Sequence, residues 1–387
     1  MVKESSGRLL SLEGLRVFAS VIVVLFHATI MFYPGAVYGM NNDYAMAQNS
    51  HFEDNVYGNP LSALISGTFA VSIFFVLSGF VLTIGYFETK KHHTIRRLAA
   101  KRYIRLALPA LASVLFAWIL MSSSLADSKH EVAAITHSGW LDSLWQIPPN
   151  FYAAITQGVW GAFSIKDVSF NPVLWTIHYE LIGSFVIFAF VLLFGDSPKR
   201  WIVYLFLCLA LFNTWLIGFI FGVLLADLYS KNYFPFNIHN KRYLYMVGAI
   251  GVFFGGYPAL RAAGRFYESL QLPALNSEQN QAFYTGIGAL CIVICVLAIP
   301  RVSAWFAHKK VSGLGKYTYA LYLVHLPILL TVCTTLFLPL HSHLNYHVAA
   351  LAAVALTLPV IAITSYLFEQ YIDAASIKLS SHFARWV

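Results

Sequence analysis

Apolar residues in this chain neither alternate nor keep to one stripe of a helix; they come in long runs separated by short polar breaks. The runs cover residues 15–33, 61–87, 104–123, 173–194, 201–212, 215–229, 243–257, 283–299, 317–338 and 347–369. Crossing the hydrocarbon of a bilayer takes about 20 apolar residues in a helix. Inside lipid the backbone must satisfy its own hydrogen bonds, which makes a helix the expected form of each run. The pattern predicts an all-α, polytopic membrane bundle of about ten transmembrane helices. The stretch 201–229 is ambiguous by itself. It reads either as two short helices broken at Asn213-Thr214 or as one long tilted helix.

Charge placement separates the two. With the amino terminus in the cytoplasm and ten crossings, the 25 Lys and Arg residues all face inward except Lys129, Lys166, Arg261 and Arg265. Cytoplasmic loops are the ones that keep positive charge. Fusing the fifth and sixth spans would reverse every later loop and destroy the asymmetry. The expectation is ten spans, both termini cytoplasmic, in the plasma membrane.

Composition agrees. Of 387 residues, 58% are hydrophobic and 11% charged, whereas roughly a quarter of a soluble domain is charged. That argues against a soluble enzyme, a disordered chain and a nucleic-acid-binding module. The net charge of +8 is therefore read as loop anchoring rather than as affinity for nucleic acid. Cys208, Cys291, Cys295 and Cys333 lie within apolar runs without a C-x-x-C spacing, so neither a disulfide nor a metal-thiolate site is expected. The polar residues 1–13 lead into the first run with no cleavage site behind it, which reads as a retained helix. Residues 1–387 read as one domain without an appended soluble domain. Its largest outer loops are 124–172 and 258–282.

Ionisable groups at membrane depth are costly and commonly functional. His27 lies roughly 16 Å above Arg16 on the first helix, Glu180 about 12 Å into the fourth from outside, and His325 roughly 13 Å in from the cytoplasm. Ser78 falls near mid-depth, so four capable side chains share one layer. A neutral imidazole beside a carboxylate suits removal of a hydroxyl proton. Each residue also has a plain reading: His27 and His325 as hydrogen-bonded packing residues, Ser78-Gly79 as a small-residue notch between helices. Residues 90–109 place Arg102 and Arg105 on one helical face beside apolar positions, and should lie along the inner interface before turning into the third span. They serve either as lipid anchors or as a polyphosphate site. His341, His343 and His347 read as solvated loop histidines, and no metal site is expected. Trp140, Trp145, Tyr152 and Trp160 in the outer loop are either an interfacial belt or a stacking platform for a sugar.

Five segments in order resemble the acyltransferase-3 family of membrane acyltransferases. They are Arg16-x10-His27, FFVLSGF around Ser78, Arg102-x-x-Arg105, LWTIHYEL around Glu180, and LGKYTYALYLVHLPI around His325, with Thr318 where Ser is commoner. The resemblance spans nearly the whole chain. It implies transfer of an acyl group, most often acetyl, from cytoplasmic acyl-CoA such as acetyl-CoA to a hydroxyl. The acceptor would be a glycan or glycosylated molecule, or alternatively a macrolide-like metabolite. It further implies His27 as general base or acyl carrier, Arg16 supporting it, and Glu180 orienting or charge-balancing the imidazole. Arg102 and Arg105 would hold the CoA phosphates, with Ser78 and His325 also on the acyl-CoA side. Some relatives complete transfer with an esterase-like domain, so such a relay here calls for a separate partner. A proton-coupled secondary transporter is the rival class, since mid-membrane His and Glu also suit a carrier. The missing internal repeat and the basic inner face argue against it.

Overall fold

The computed structural model describes residues 2–39, 50–233, 235–236, 242–260 and 266–384; for 2–9 and 50 it describes only the backbone. Among the described residues the chain is helical, with no strand. Ten apolar helices coincide with the ten predicted runs. They are α1 Val2–Phe32, α2 Gly67–Thr89, α3 His92–Met121, α4 Pro172–Phe194, α5 Arg200–Leu211, α6 Ile217–Ser230, α7 Arg242–Gly255, α8 Ser277–Ala298, α9 Lys309–His343 and α10 Tyr346–Phe383. Seven of these are long and apolar enough to cross a membrane: α1 through its Leu10–Phe32 portion, α2, α3, α4, α8, α9 and α10. The other three have 12, 14 and 14 residues. At 1.5 Å per residue each falls short of a hydrocarbon layer about 30 Å thick.

The chain does break between α5 and α6, where the Thr214 hydroxyl turns back onto the Leu211 carbonyl at 2.9 Å. Sequence boundaries shift elsewhere. The first helix begins at Val2 and the last continues to Phe383. Residues 92–121 form one continuous helix with Pro109 inside it, not an interfacial segment that turns into a span. Of the basic residues used to orient the chain, Lys241, Arg261, Arg265 and Arg385 lie outside the described residues, as does part of the 258–282 loop.

α2 sits at the centre, packed against α1, α3, α4, α6 and α8. Its crossing with α6 is close because both backbones are bare. A Cβ on Gly79 would fall 2.3 Å from the Phe219 carbonyl oxygen, and one on Gly222 would fall 2.2 Å from that of Val76. Without a hydrophobic drive between helices in lipid, such close backbone approach carries the association. Large apolar residues such as Leu193, Phe206, Leu209, Leu351 and Ile363 point outward and are mostly exposed, as a lipid-facing surface requires.

Helix ends with basic residues gather at one end of the bundle. There Arg200 and Lys231 pair with Asp227, and Tyr86 and His92 both hydrogen-bond Asp196. Tyr86 first, and then His92, hold the exposed Asp196 carboxyl below its usual range. The opposite, far end is covered by short helices that include Ser128–Thr136, Gly139–Ser143 and Phe151–Thr156.

The candidate active site

Two polar centres lie inside the bundle. The first is a pair of histidines. α1 presents His27 and α9 presents His325, with His325 Nε2 3.0 Å from His27 Nδ1. His325 is fully buried and His27 half-buried. Each Nδ1 also faces the carbonyl one turn earlier in its own helix, Val23 at 2.9 Å for His27 and Leu321 at 3.0 Å for His325. A carbonyl can only accept, so the Nδ1 of each neutral ring carries the proton. His325 Nε2 then offers its lone pair to the His27 Nδ1–H. His27 Nε2 is left as the unprotonated, basic nitrogen. Trp140, from the short helix Gly139–Ser143, tilts toward this ring with centroids 5.7 Å apart.

The second centre surrounds Glu180. Ser78 Oγ donates to Glu180 Oε1 at 2.6 Å, and Arg102 Nη2 donates to the same oxygen. Arg102 Nε reaches Ser184 Oγ at 2.7 Å. One turn further along α3, Arg105 grips the Asp373 carboxylate with both terminal nitrogens, Nη2 at 3.0 Å from Oδ2, and donates to Ser376 Oγ at 2.9 Å. Arg16 pairs with Glu13 at 2.8 Å. Arg16, Ser78, Arg102, Arg105 and Glu180 all line one cavity of about 260 Å³. Three guanidiniums thus line the cavity, each held by a carboxylate, Glu13, Glu180 or Asp373, and planar guanidinium forks of this kind are suited to a phosphorylated ligand.

The two centres do not merge. Tyr322 lines the cavity, and its ring centroid is 6.0 Å from that of His325. Phe74 packs against it at 6.3 Å. The Tyr322 hydroxyl is fixed by the Val173 carbonyl and the Thr176 hydroxyl, both at 2.7 Å. The single layer inferred from depth is thus two sites with an aromatic wall between them.

Five of the seven residues singled out in sequence therefore share a cavity, and the other two share a hydrogen bond. Two placements differ from the expected ones. Glu180 accepts hydrogen bonds from Arg102 and Ser78 and none from the His27 ring, because α3 carries a guanidinium to it. His325 stands against His27 and not among the cavity-lining arginines. Ser78 and Gly79 face different surroundings: the serine enters the polar centre while the glycine makes the close crossing.

The outer aromatics divide as well. Tyr152 and Trp160 are exposed and Trp145 is buried, with its indole donating to the Phe170 carbonyl, while Trp140 alone of the four packs against His27. His341 is not solvated as expected: it stacks on Phe337 and its Nδ1 is buried. His347 is exposed and bonds the Tyr33 hydroxyl at 2.8 Å. Asp373 and Ser184 were missed in sequence. A carboxylate just beyond an apolar run, across from an arginine at membrane depth, is the signal that points to Asp373. Ser184 offers no comparable signal.

The geometry is that of a multi-pass helical bundle with a buried histidine pair beyond an arginine-lined cavity. Residues 9–366 match the family described as "Acyltransferase domain", and the chain belongs to that family, acyltransferase-3. A relative, the O-acetyltransferase PaAT-1 of Phomopsis amygdali, is 23% identical over 428 residues, covering 95% of this chain and 83% of the relative. No solved structure matches the chain. The protein is a membrane acyltransferase.

Proposed function

We propose that the protein moves an acyl group, most simply acetyl, from acyl-CoA at the arginine end of the bundle to a hydroxyl of a sugar-containing acceptor entering from the far end. In this reading the chain crosses the plasma membrane ten times, with α5, α6 and α7 as short crossings and both termini cytoplasmic. The arginine-lined cavity receives the CoA phosphates, and the thioester arm passes the Tyr322–Phe74 wall toward His27. Phosphates are too strongly charged to follow it into the hydrocarbon.

The observation that carries the proposal is the His27–His325 contact with each Nδ1 against a backbone carbonyl, from which it follows that His27 Nε2 keeps its lone pair. His27 Nε2 takes the acceptor hydroxyl proton as the oxygen attacks the thioester carbonyl. The carbon–sulfur bond breaks, and the departing CoA thiolate recovers the proton from His27. While the imidazolium exists, His325 Nε2 accepts from its Nδ1–H, the part a carboxylate plays in a serine-protease triad. A neutral partner spares the lipid interior a second ion.

Radiolabelled acetyl-CoA and an envelope glycan extract, incubated with the purified protein, provide the test. His27→Ala is expected to reduce transfer by at least about 100-fold with an unchanged melting temperature. Transfer near the wild-type rate in the folded variant would remove His27 from the mechanism.

A further inference from the structure

A second, larger cavity of about 620 Å³ opens at the far end of the bundle, among the outer ends of α1, α2, α7 and α8. Its volume is typical of small-molecule sites. Its chemistry is the reverse of the arginine cavity. Among the described residues its lining contains no Lys or Arg, and the charged side chain there is Glu278, held through Oε1 by the Trp215 indole at 2.9 Å.

Gln281 lines this space and is only 8% exposed, yet its carboxamide has no hydrogen-bond partner among the described residues. An amide that opens onto a cavity without a protein partner is free to pair with a bound group. Two aromatic rings complete the walls. Tyr57 is anchored through its hydroxyl to the Leu260 carbonyl at 2.9 Å, and Tyr257 is stacked on Tyr284 at 4.5 Å. An amide, a carboxylate and fixed aromatic rings suit a polyhydroxylated ring with apolar faces.

The cavity also adjoins the reacting nitrogen's ring. Phe26 forms part of its wall, and the Phe26 and His27 rings lie 4.9 Å apart. Phe26 occupies this position because residue 67 is glycine; a Cβ there would fall 2.5 Å from the Phe26 ring.

We infer that this cavity is the acceptor site and selects an uncharged, sugar-like molecule, with Gln281 and Glu278 holding ring hydroxyls and Phe26 packing against the bound ring beside His27. The inference rests on the acyl-transfer reading for its purpose, but its binding chemistry can be tested without turnover.

Thermal shift of the purified protein with methyl β-glucoside, and separately with methyl β-glucuronide, reads that chemistry. The neutral glycoside is expected to stabilise the protein saturably at millimolar concentration and the anionic one is not. Gln281→Leu should raise the apparent Kd for methyl β-glucoside about tenfold, and Glu278→Gln should admit the glucuronide. Ala259→Trp, which fills the cavity from a loop, serves as a second blocking variant should Gln281→Leu fail to fold. No saturable stabilisation by the glucoside, undiminished binding in the blocking variants, or equal binding of the glucuronide by wild type would overturn the inference. His27→Ala should still bind the glucoside. If His27→Ala binds it and also transfers acetyl normally, the mechanism fails while the site stands.

Discussion

A histidine at membrane depth is ambiguous in sequence, and a hydrogen-bonded neighbour with a defined proton is what resolves it. His27 and His325 are separated by 298 positions, yet their nitrogens stand 3.0 Å apart. In the proposed mechanism the choice of His27 as base rests on two backbone carbonyls, and no sequence pattern displays these. Because His325 acts only as an acceptor, His325→Gln, whose amide oxygen can take the same bond, should keep far more transfer than His325→Leu. The leucine variant should lose about 100-fold in kcat with little change in KM for acetyl-CoA. Steady-state kinetics on both variants checks this, and equal rates would reduce His325 to packing. Glu180 teaches the converse. Its need for a partner was legible from its depth, but that the partner is Arg102 depended on the register of α3 against α4.

The short helix Gly139–Ser143 is too brief to stand on its own hydrogen bonds, yet it carries Trp140 against His27. Lys129, which is 1% exposed, secures it by donating to the carbonyls of Leu141, Asp142 and Leu144 at 3.3, 3.1 and 2.6 Å. Lys129→Met strands those carbonyls and should cost about 1–3 kcal/mol of stability, read as a lower melting temperature, together with slower transfer as Trp140 loosens. Burial lowers the Lys129 pKa, against an opposing pull from Asp142. Its folded value therefore lies below the 10.5 of a free lysine. Between those two values the unfolded chain binds more protons, so stability rises with pH across that window. Melting curves should show this alkaline gain in the wild type and not in Lys129→Met. In sequence, Lys129 was only one of four exceptions to the inward charge bias.

At the scale of the whole molecule the bundle is polarised. One cavity is walled by three arginines and the other, at the opposite end, has a carboxylate and, among the described residues, no basic one. Two substrates approaching from opposite faces of a bilayer need such a division, since the charged one stays where phosphate is matched and the neutral one meets no competing cation. In sealed vesicles containing the protein in one orientation, acetyl-CoA supplied on the arginine side should support acetylation of a glycan on the other side. The reverse arrangement should not. Equal transfer from both sides would contradict the proposed route.

The sequence by itself determined everything that depends on local hydrophobicity and spacing. The ten apolar helices, the break near Asn213, the basic helix ends and the residue types capable of chemistry follow from runs, depths and charge signs, which are additive along the chain. The tertiary structure alone decided which of those residues meet. The pairing of His27 with His325, the diversion of Glu180 to Arg102, the continuity of α3 and the unpartnered Gln281 depend on the rotation and register of each helix against its neighbours. Those are set by packing such as the bare Gly79–Gly222 crossing. Helices that are apolar all round carry no stripe to announce the face they will bury.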